Sequence, residues 1–350
     1  MNVLQIATTN DRSFFNDQVS ALEAHGINCE TIAVSPNKAE YAAWLDDLNP
    51  LARRLAPTKG HNVPYYAANA FRSYPRVLKS VVETDYDIIH TNSGLTAPFG
   101  LLQPQRPIVQ TLWGTDLMGE YLGGYYSELL KYGLQGFDEI IVRNDAMNRE
   151  LGGEAHVIPA GVDMAKFDEI SRTAAQREVG WKPGGRYVLF PYAPETKRKN
   201  YPLAQQVVER ANEQLAEPVE LRSVSRVPHD RIPYYFNASQ ALLLTSRLEG
   251  SPNTVKEALA CNVPVVSTDV GDVRKRLDGV DVSTVAAEPE ALVEGLVAAI
   301  EAGGRCDGRS QVEPLRWERV SQRIIEVYDA VLSESTRSRS QSAPSLSSES

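Results

Sequence analysis

The strongest constraint on this chain is a rhythm that occurs twice. Short, nearly continuous apolar runs alternate with segments of helical spacing. The first series comprises 3–9 (VLQIATT), 29–34 (CETIAV), 87–92 (DIIHTN), 107–114 (PIVQTLWG) and 139–144 (EIIVRN). The second comprises 186–192 (RYVLFPY), 219–225 (VELRSVS), 241–246 (ALLLTS) and 263–268 (VPVVST). Runs this short and apolar suit strands buried on both faces of a parallel sheet. Helical segments accompany them: Phe15–His25 stopping at Gly26, Leu203–Leu215, Thr254–Ala260 and Pro289–Ala302. They suit the crossovers that parallel strands require. The expectation is an α/β protein with two doubly wound, Rossmann-like lobes, 1–155 and 156–316, hinged near His156 and facing each other across an interdomain cleft. Open sheets of this kind collect ligands beyond the carboxyl ends of their strands.

The remainder of the chain fits this plan. Trp317–Leu332 sets Val320, Ile324, Val327 and Val331 on one stripe and predicts an amphipathic closing helix. Residues 333–350 are Ser-rich without hydrophobic periodicity and are predicted to be disordered. A length of 350 residues suits two domains. The net charge of −9 argues against general nucleic-acid binding, which wants a basic footprint. Three widely spaced cysteines, Cys29, Cys261 and Cys306, offer neither a disulfide framework nor a metal-ligand spacing. The opening MNVLQIATTN reads as a strand rather than a signal peptide. No apolar run approaches the ~20 residues that span a bilayer. A cytoplasmic location is therefore expected.

One stretch departs from the acidic average. From Leu51 to Val82 there is no Asp or Glu, while Arg53, Arg54, Lys59, Arg72, Arg76 and Lys79 alternate with Tyr65, Tyr66, Phe71 and Tyr74. Two readings stand. Basic residues with exposed aromatics can hold 51–79 against an anionic membrane surface, with the protein peripheral at its inner face. Alternatively the stretch is a solvated helix-loop-helix with half-buried tyrosines.

The segment 242–272 carries the most chemistry. The apolar run Ala241–Ser246 leads into a loop, Ser251 can cap a helix, and Pro252 suits a first helical position, where no N–H is needed. Asn253, Thr254, Val255 and Lys256 then form the first turn. A helix N-terminus leaving a parallel sheet presents unpaired N–H groups and a favourable dipole to a phosphate or pyrophosphate. Glu249 lies before this helix and Glu257 more than one turn inside it. A carboxylate can accept two hydrogen bonds from a vicinal diol. One carboxylate for a ribose and one for a hexose, with phosphates between, is what a nucleotide sugar requires. A strand, a capped helix and two surface glutamates also occur in α/β proteins that bind no such ligand.

EGSPNTVKEALACNVPVV resembles the E-x7-E signature of retaining GT-B glycosyltransferases of family 4 (group 1 glycosyltransferases), commonly E-G-x-P-x-x-x-x-E-A-x-A-x-G-x-P-V-V. Glu249, Gly250, Pro252, Glu257, Ala258, Ala260, Pro264, Val265 and Val266 fall in register. Ala24-His25-Gly26, Asp87-Ile88-Ile89-His90 and Val157-Ile158-Pro159-Ala160-Gly161-Val162-Asp163 resemble further stretches of that family, over residues 1–332. The resemblance implies the GT-B fold, an acceptor site in the first lobe and a nucleotide-sugar site in the second, with the closing helix packed back on the first lobe. It implies that Glu257 holds the ribose and Glu249 the sugar. Backbone amides of Gly250, Ser251, Asn253, Thr254 and Val255, around Pro252, would hold the sugar and diphosphate. Lys199 falls at the lysine of the family's G-R-x5-K pair, where an ammonium stabilises the charge of a leaving diphosphate.

Departures from the pattern define further candidates. Ala193 stands at the usual arginine and Tyr192 at the preceding glycine, so Lys197 or Arg198 is the candidate replacement charge. Trp113 replaces the histidine of the family's x-H-G-x-D, leaving His90 either as its catalytic substitute or as a partly buried strand-end residue. The loop Thr8–Ser13 lacks paired glycines, so Asn10 and Asp11 are assigned to an acceptor. Asp116 either orients a sugar hydroxyl or caps the segment after it.

The function implied is retaining hexosyl transfer, from a nucleoside-diphosphate sugar to a glycan or lipid-linked acceptor, in surface polysaccharide or glycoconjugate assembly. No cofactor is expected, and no metal is needed if Lys199 and the helix terminus cover the diphosphate. A sugar-nucleotide epimerase on the same fold and a non-catalytic nucleotide-sugar-binding protein are the alternatives.

Overall fold

The computed structural model describes residues 1–8, 13–34, 63–114, 117 and 125–342. Asn10, Asp11, Asp116 and the first part of the basic stretch, 51–62, lie outside the described residues. The chain divides into two compact units. One comprises Met1–Val142, Met147–Ile158 and Ser321–Ser350, and the other Arg143–Ala146 and Pro159–Val320.

In the first unit the described residues form a six-stranded parallel sheet. Its strands are β1 (Asn2–Ala7), β2 (Asn28–Ala33), β3 (Ile88–Asn92), β4 (Ile108–Thr111), β5 (Glu139–Val142) and β6 (His156–Val157). Their order is β2-β1-β3-β4-β5-β6. Every residue of β3 and β4 is buried, as expected of strands covered on both faces. Strand β6 has two residues, too few to carry a period, and the sequence pattern gives no sign of it. A helix runs unbroken from Val63 to Glu83 through Pro75. Its inner face buries Val77 and Val81, and the Ser73 hydroxyl donates to the Val34 carbonyl at 2.8 Å.

The last helix also belongs to this unit from Ser321 onward. It spans Trp317–Ser342, so it passes Leu332 and takes in part of the segment predicted to be disordered. Ser333 and Ser335 donate their hydroxyls to the carbonyls of Asp329 and Val331, one turn back. Serine can close on the helix in this way instead of competing with it. Its buried stripe is Val320, Ile324, Val327, Tyr328 and Val331.

In the second unit the described residues form a five-stranded parallel sheet: β7 (Tyr187–Phe190), β8 (Glu220–Ser223), β9 (Ala241–Leu244), β10 (Val265–Thr268) and β11 (Thr284–Ala286). The order is β11-β10-β9-β7-β8. The chain steps from β7 to one side, then returns to add β9, β10 and β11 on the other. The order therefore reverses between β7 and β9. The helices Tyr201–Asn212 and Pro289–Ala302 pack against one face through Ala204, Val207, Val208, Leu292, Val293 and Leu296. The helix Asn253–Ala260 packs against the other through Val255, Ala258 and Leu259. Gly161 is required where it stands, because the ring of Trp317 occupies the space a Cβ would take.

Candidate functional site

A doubly wound sheet opens a crevice where its strand order reverses, beyond the carboxyl ends of the strands. In the second unit that place lies past Phe190 of β7 and Leu244 of β9. The loop after β7 brings Tyr192 and Lys199 there, and the loop after β9 brings Glu249 and Gly250. The two loops are tied together: Thr245 Oγ1 donates to the Lys199 and Asn200 carbonyls at 3.0 and 3.1 Å, and the Arg247 amide donates to the Arg198 carbonyl at 2.9 Å.

Lys199 Nζ donates to Glu249 Oε1 at 2.5 Å, with both side chains 9% exposed. The same ammonium lies 3.5 Å from the centre of the Tyr192 ring. Burial lowers the Lys199 pKa, Glu249 opposes that shift, and the charge of Arg198 adds to it. The Tyr192 phenol is pushed up by burial and by Glu249, and its hydroxyl meets Thr254 Oγ1 at 2.6 Å. The helix Asn253–Ala260 begins beside them, and its first amides have no partner one turn back. An ammonium, hydroxyls and a helix terminus are groups that can receive a multiply charged anion. Glu257, one turn further along, meets His229 Nε2 through Oε1 at 3.2 Å. The side chains of Lys199, Glu249, Thr254 and Glu257 thus assemble in one unit.

Two expectations change. Pro252, not Ser251, precedes the helix, and no side chain caps it. The Ser251 hydroxyl instead donates to Asp272 Oδ2 at 2.9 Å. The amide of Val255 donates to the Pro252 carbonyl at 3.2 Å, which takes it out of the set facing a ligand. Lys197 and Arg198 are exposed on the short turn Lys197–Lys199, and the charge of Arg198 reaches Lys199.

His90 is the largest correction. It is fully buried in β3, with Nδ1 2.5 Å from the Tyr328 hydroxyl and Nε2 2.8 Å from Thr111 Oγ1. Both ring nitrogens are engaged inside the first unit, so the residue braces the sheet and the last helix rather than meeting a substrate. Trp113 is half-buried, its ring 4.7 Å from that of Phe14. The first sheet reverses its order between β1 and β3. There Ser93 holds φ 132° and ψ 146°, a strained conformation for a residue with a side chain.

A buried ionic cluster beneath the Glu249 loop was not anticipated. Lys256, 1% exposed, donates to the Ala160 carbonyl at 2.9 Å and to Ser251 Oγ at 3.3 Å. Burial pushes its pKa down to about 7, and Arg276 and Arg143 add to the effect against Asp272. Arg276 Nε donates to Asp272 Oδ2 at 2.8 Å. Arg143 is itself buried and pushed down to about 9. Asn144 Nδ2 donates to the Gly250 carbonyl at 2.5 Å. Gly271, at φ +59°, lies so close that a Cβ would collide with that same carbonyl. The sequence carried one sign of the cluster: Lys256 stands three and four residues before Leu259 and Ala260, on the buried stripe of its helix. His229 and Asn144 gave no comparable signal.

The chain matches family models described as Glycosyltransferase Family 4, over residues 14–166, and Glycosyl transferases group 1, over residues 197–302. It is 24% identical over 223 residues to TuaC of Bacillus subtilis (strain 168), described as a teichuronic acid biosynthesis glycosyltransferase. That alignment covers 56% of this chain and 57% of TuaC, so the chain spans little more than half of that relative. Sucrose-phosphate synthase from Thermosynechococcus elongatus superposes with a TM-score of 0.67 at 16% identity, covering 95% of this chain and 100% of that one. HepE from Anabaena, in complex with UDP and glucose, superposes with a TM-score of 0.69 at 13% identity, covering 94% and 100%. At these identities the likeness speaks for the fold, the GT-B architecture of two Rossmann-like lobes.

Proposed function

We propose that this chain, which belongs to the group 1 glycosyltransferases of family 4, transfers a hexosyl group from a nucleoside-diphosphate sugar to a glycan or lipid-linked acceptor in surface polysaccharide assembly. The observation that carries this reading is the Lys199–Glu249 pair at the strand-order reversal, beside the start of the helix Asn253–Ala260. UDP and glucose in HepE and the description of TuaC lend support.

In this reading Lys199 and the first amides of the helix neutralise the diphosphate, with the Thr254 hydroxyl beside them. Glu257 accepts from the ribose diol and Glu249 from hydroxyls of the sugar. Transfer proceeds with retention. The bond from the anomeric carbon to the phosphate oxygen breaks, and the acceptor oxygen bonds on the same face. The acceptor proton passes to the departing diphosphate. This chemistry asks the protein mainly for charge stabilisation at the leaving group, which a dehydrated ammonium supplies well. No metal is required in this scheme. The acceptor is assigned to the first unit, where the exposed Arg72, Arg76 and Lys79 on the helix Val63–Glu83 suit an anionic membrane at its cytoplasmic face.

Product analysis tests the reading. Incubation with UDP-, GDP- and ADP-hexoses and a lipid-linked acceptor extract, followed by mass spectrometry, is expected to give acceptor-dependent release of one nucleoside diphosphate. Epimerised donor without an acceptor would replace this reading with an epimerase. Donor binding with neither product would replace it with a sensor.

A further inference from the structure

The chain of contacts behind Glu257 carries a consequence for ligand selection. Lys166 Nζ lies 2.6 Å from His229 Nδ1, and His229 Nε2 lies 3.2 Å from Glu257 Oε1. An ammonium has three protons and no lone pair, so it can only donate. His229 Nδ1 is therefore the acceptor, the ring proton resides on Nε2, and that proton is donated to Glu257. The hydrogen-bond chain fixes the tautomer by chemistry rather than by choice. The imidazole is held in place as well as in protonation: the Phe167 ring meets it edge-on at 5.5 Å. Phe167 is itself 1% exposed and meets Phe236 edge-on at 6.1 Å. Glu257 is 12% exposed at its side chain and His229 28%, so both keep a face toward solvent.

We propose that His229, backed by Lys166, is a positioning residue that turns the Glu257 carboxylate to receive a vicinal diol, and so makes the site select a ribose over a deoxyribose. The proposal rests on the nucleotide-sugar reading of this site. With Oε1 held by His229, the carboxylate is restrained, and Oε2 with the remaining lone pair of Oε1 stays available to accept. Two hydroxyls on adjacent carbons need that restraint, whereas one hydroxyl or none does not. The contribution of His229 therefore appears in the preference between sugars more than in affinity for the phosphates, which Lys199 and the helix terminus hold.

Binding titrations of UDP, GDP and ADP and of their 2′,3′-dideoxy forms test this, using wild type, His229→Phe, His229→Gln, Lys166→Met and Glu257→Gln. Phenylalanine keeps the ring packing but donates nothing; glutamine restores a donor. The best-bound ribonucleotide is expected to exceed its dideoxy form by about tenfold or more in wild type, the scale of hydrogen bonds to a charged acceptor. His229→Phe is expected to cut that preference at least about threefold with dideoxy binding unchanged. Lys166→Met should move it the same way, and His229→Gln should recover part of it. An unaltered preference in either His229→Phe or Lys166→Met, with the protein folded, overturns the proposal and leaves the nucleotide site standing. No ribose preference in wild type overturns this proposal, and no binding of any of the nucleotides to wild type overturns the nucleotide reading with it.

Discussion

At the scale of single residues, the second unit is notable for the charges it buries. Lys199 and Glu249 are paired, and removal of either would strand the other in a dry site. Lys256 is different. It donates to a carbonyl and a hydroxyl rather than to a carboxylate, and its pKa falls from 10.5 to about 7. The unfolded chain therefore binds more protons than the folded protein between about pH 7 and 10.5, and stability rises with pH across that window. Below pH 7 both states carry the proton, and the penalty for burying it is present in full. Lys256→Met is expected to flatten the rise in thermal stability between pH 7 and 10, with a gain on the order of a few kcal/mol at pH 6. Denaturation midpoints at several pH values check this. A pH slope unchanged from wild type would contradict it.

The element scale shows how much of the site can be read before folding. Glu249, Thr254 and Glu257 follow from a strand, a loop and a helix that are contiguous in the chain, and Lys199 was reached through its place in a recurring motif. Their partners are remote. His229 meets Glu257 only because the parallel strand order brings the loop after β8 to the same end of the sheet as the helix Asn253–Ala260. No local period encodes such pairings. The same limit explains His90. Its strand was legible, but its partner Tyr328 lies on the last helix, far away in sequence. Gln5 Nε2 donates to that same hydroxyl at 3.2 Å. Loss of the imidazole would leave buried polar groups unmatched, at about 1–3 kcal/mol. His90→Leu is expected to lower the melting temperature by several degrees while leaving kcat within about threefold. A hundredfold loss of kcat in a protein that melts normally would restore His90 to catalysis.

On the scale of the whole molecule, two parallel sheets were legible from alternating apolar runs, and the small errors fell at their margins. β6 and β11 are too short to show a period. The last helix outran its hydrophobic stripe because stability there does not come from burial alone. The membrane assignment belongs to this scale too, since it depends on a surface and not on a pocket. Flotation with anionic vesicles is expected to carry the wild-type protein. The triple substitution Arg72→Glu, Arg76→Glu and Lys79→Glu is expected to leave it behind, at about 1 kcal/mol per charge. Equal recovery on neutral and anionic vesicles would remove the membrane from the account.

The proposal at the centre of this account is that the side chains from Lys199 to Glu257, at the carboxyl end of the second sheet, hold a nucleoside diphosphate. Its most direct measurement is the titration of wild type, Lys199→Met and Glu257→Gln with UDP, GDP, ADP and CDP. One of these is expected to bind wild type, and its Kd to rise at least about tenfold in each variant, as for loss of a charge-assisted hydrogen bond. Binding of none of them to wild type, or an unchanged Kd in both variants, would contradict the claim.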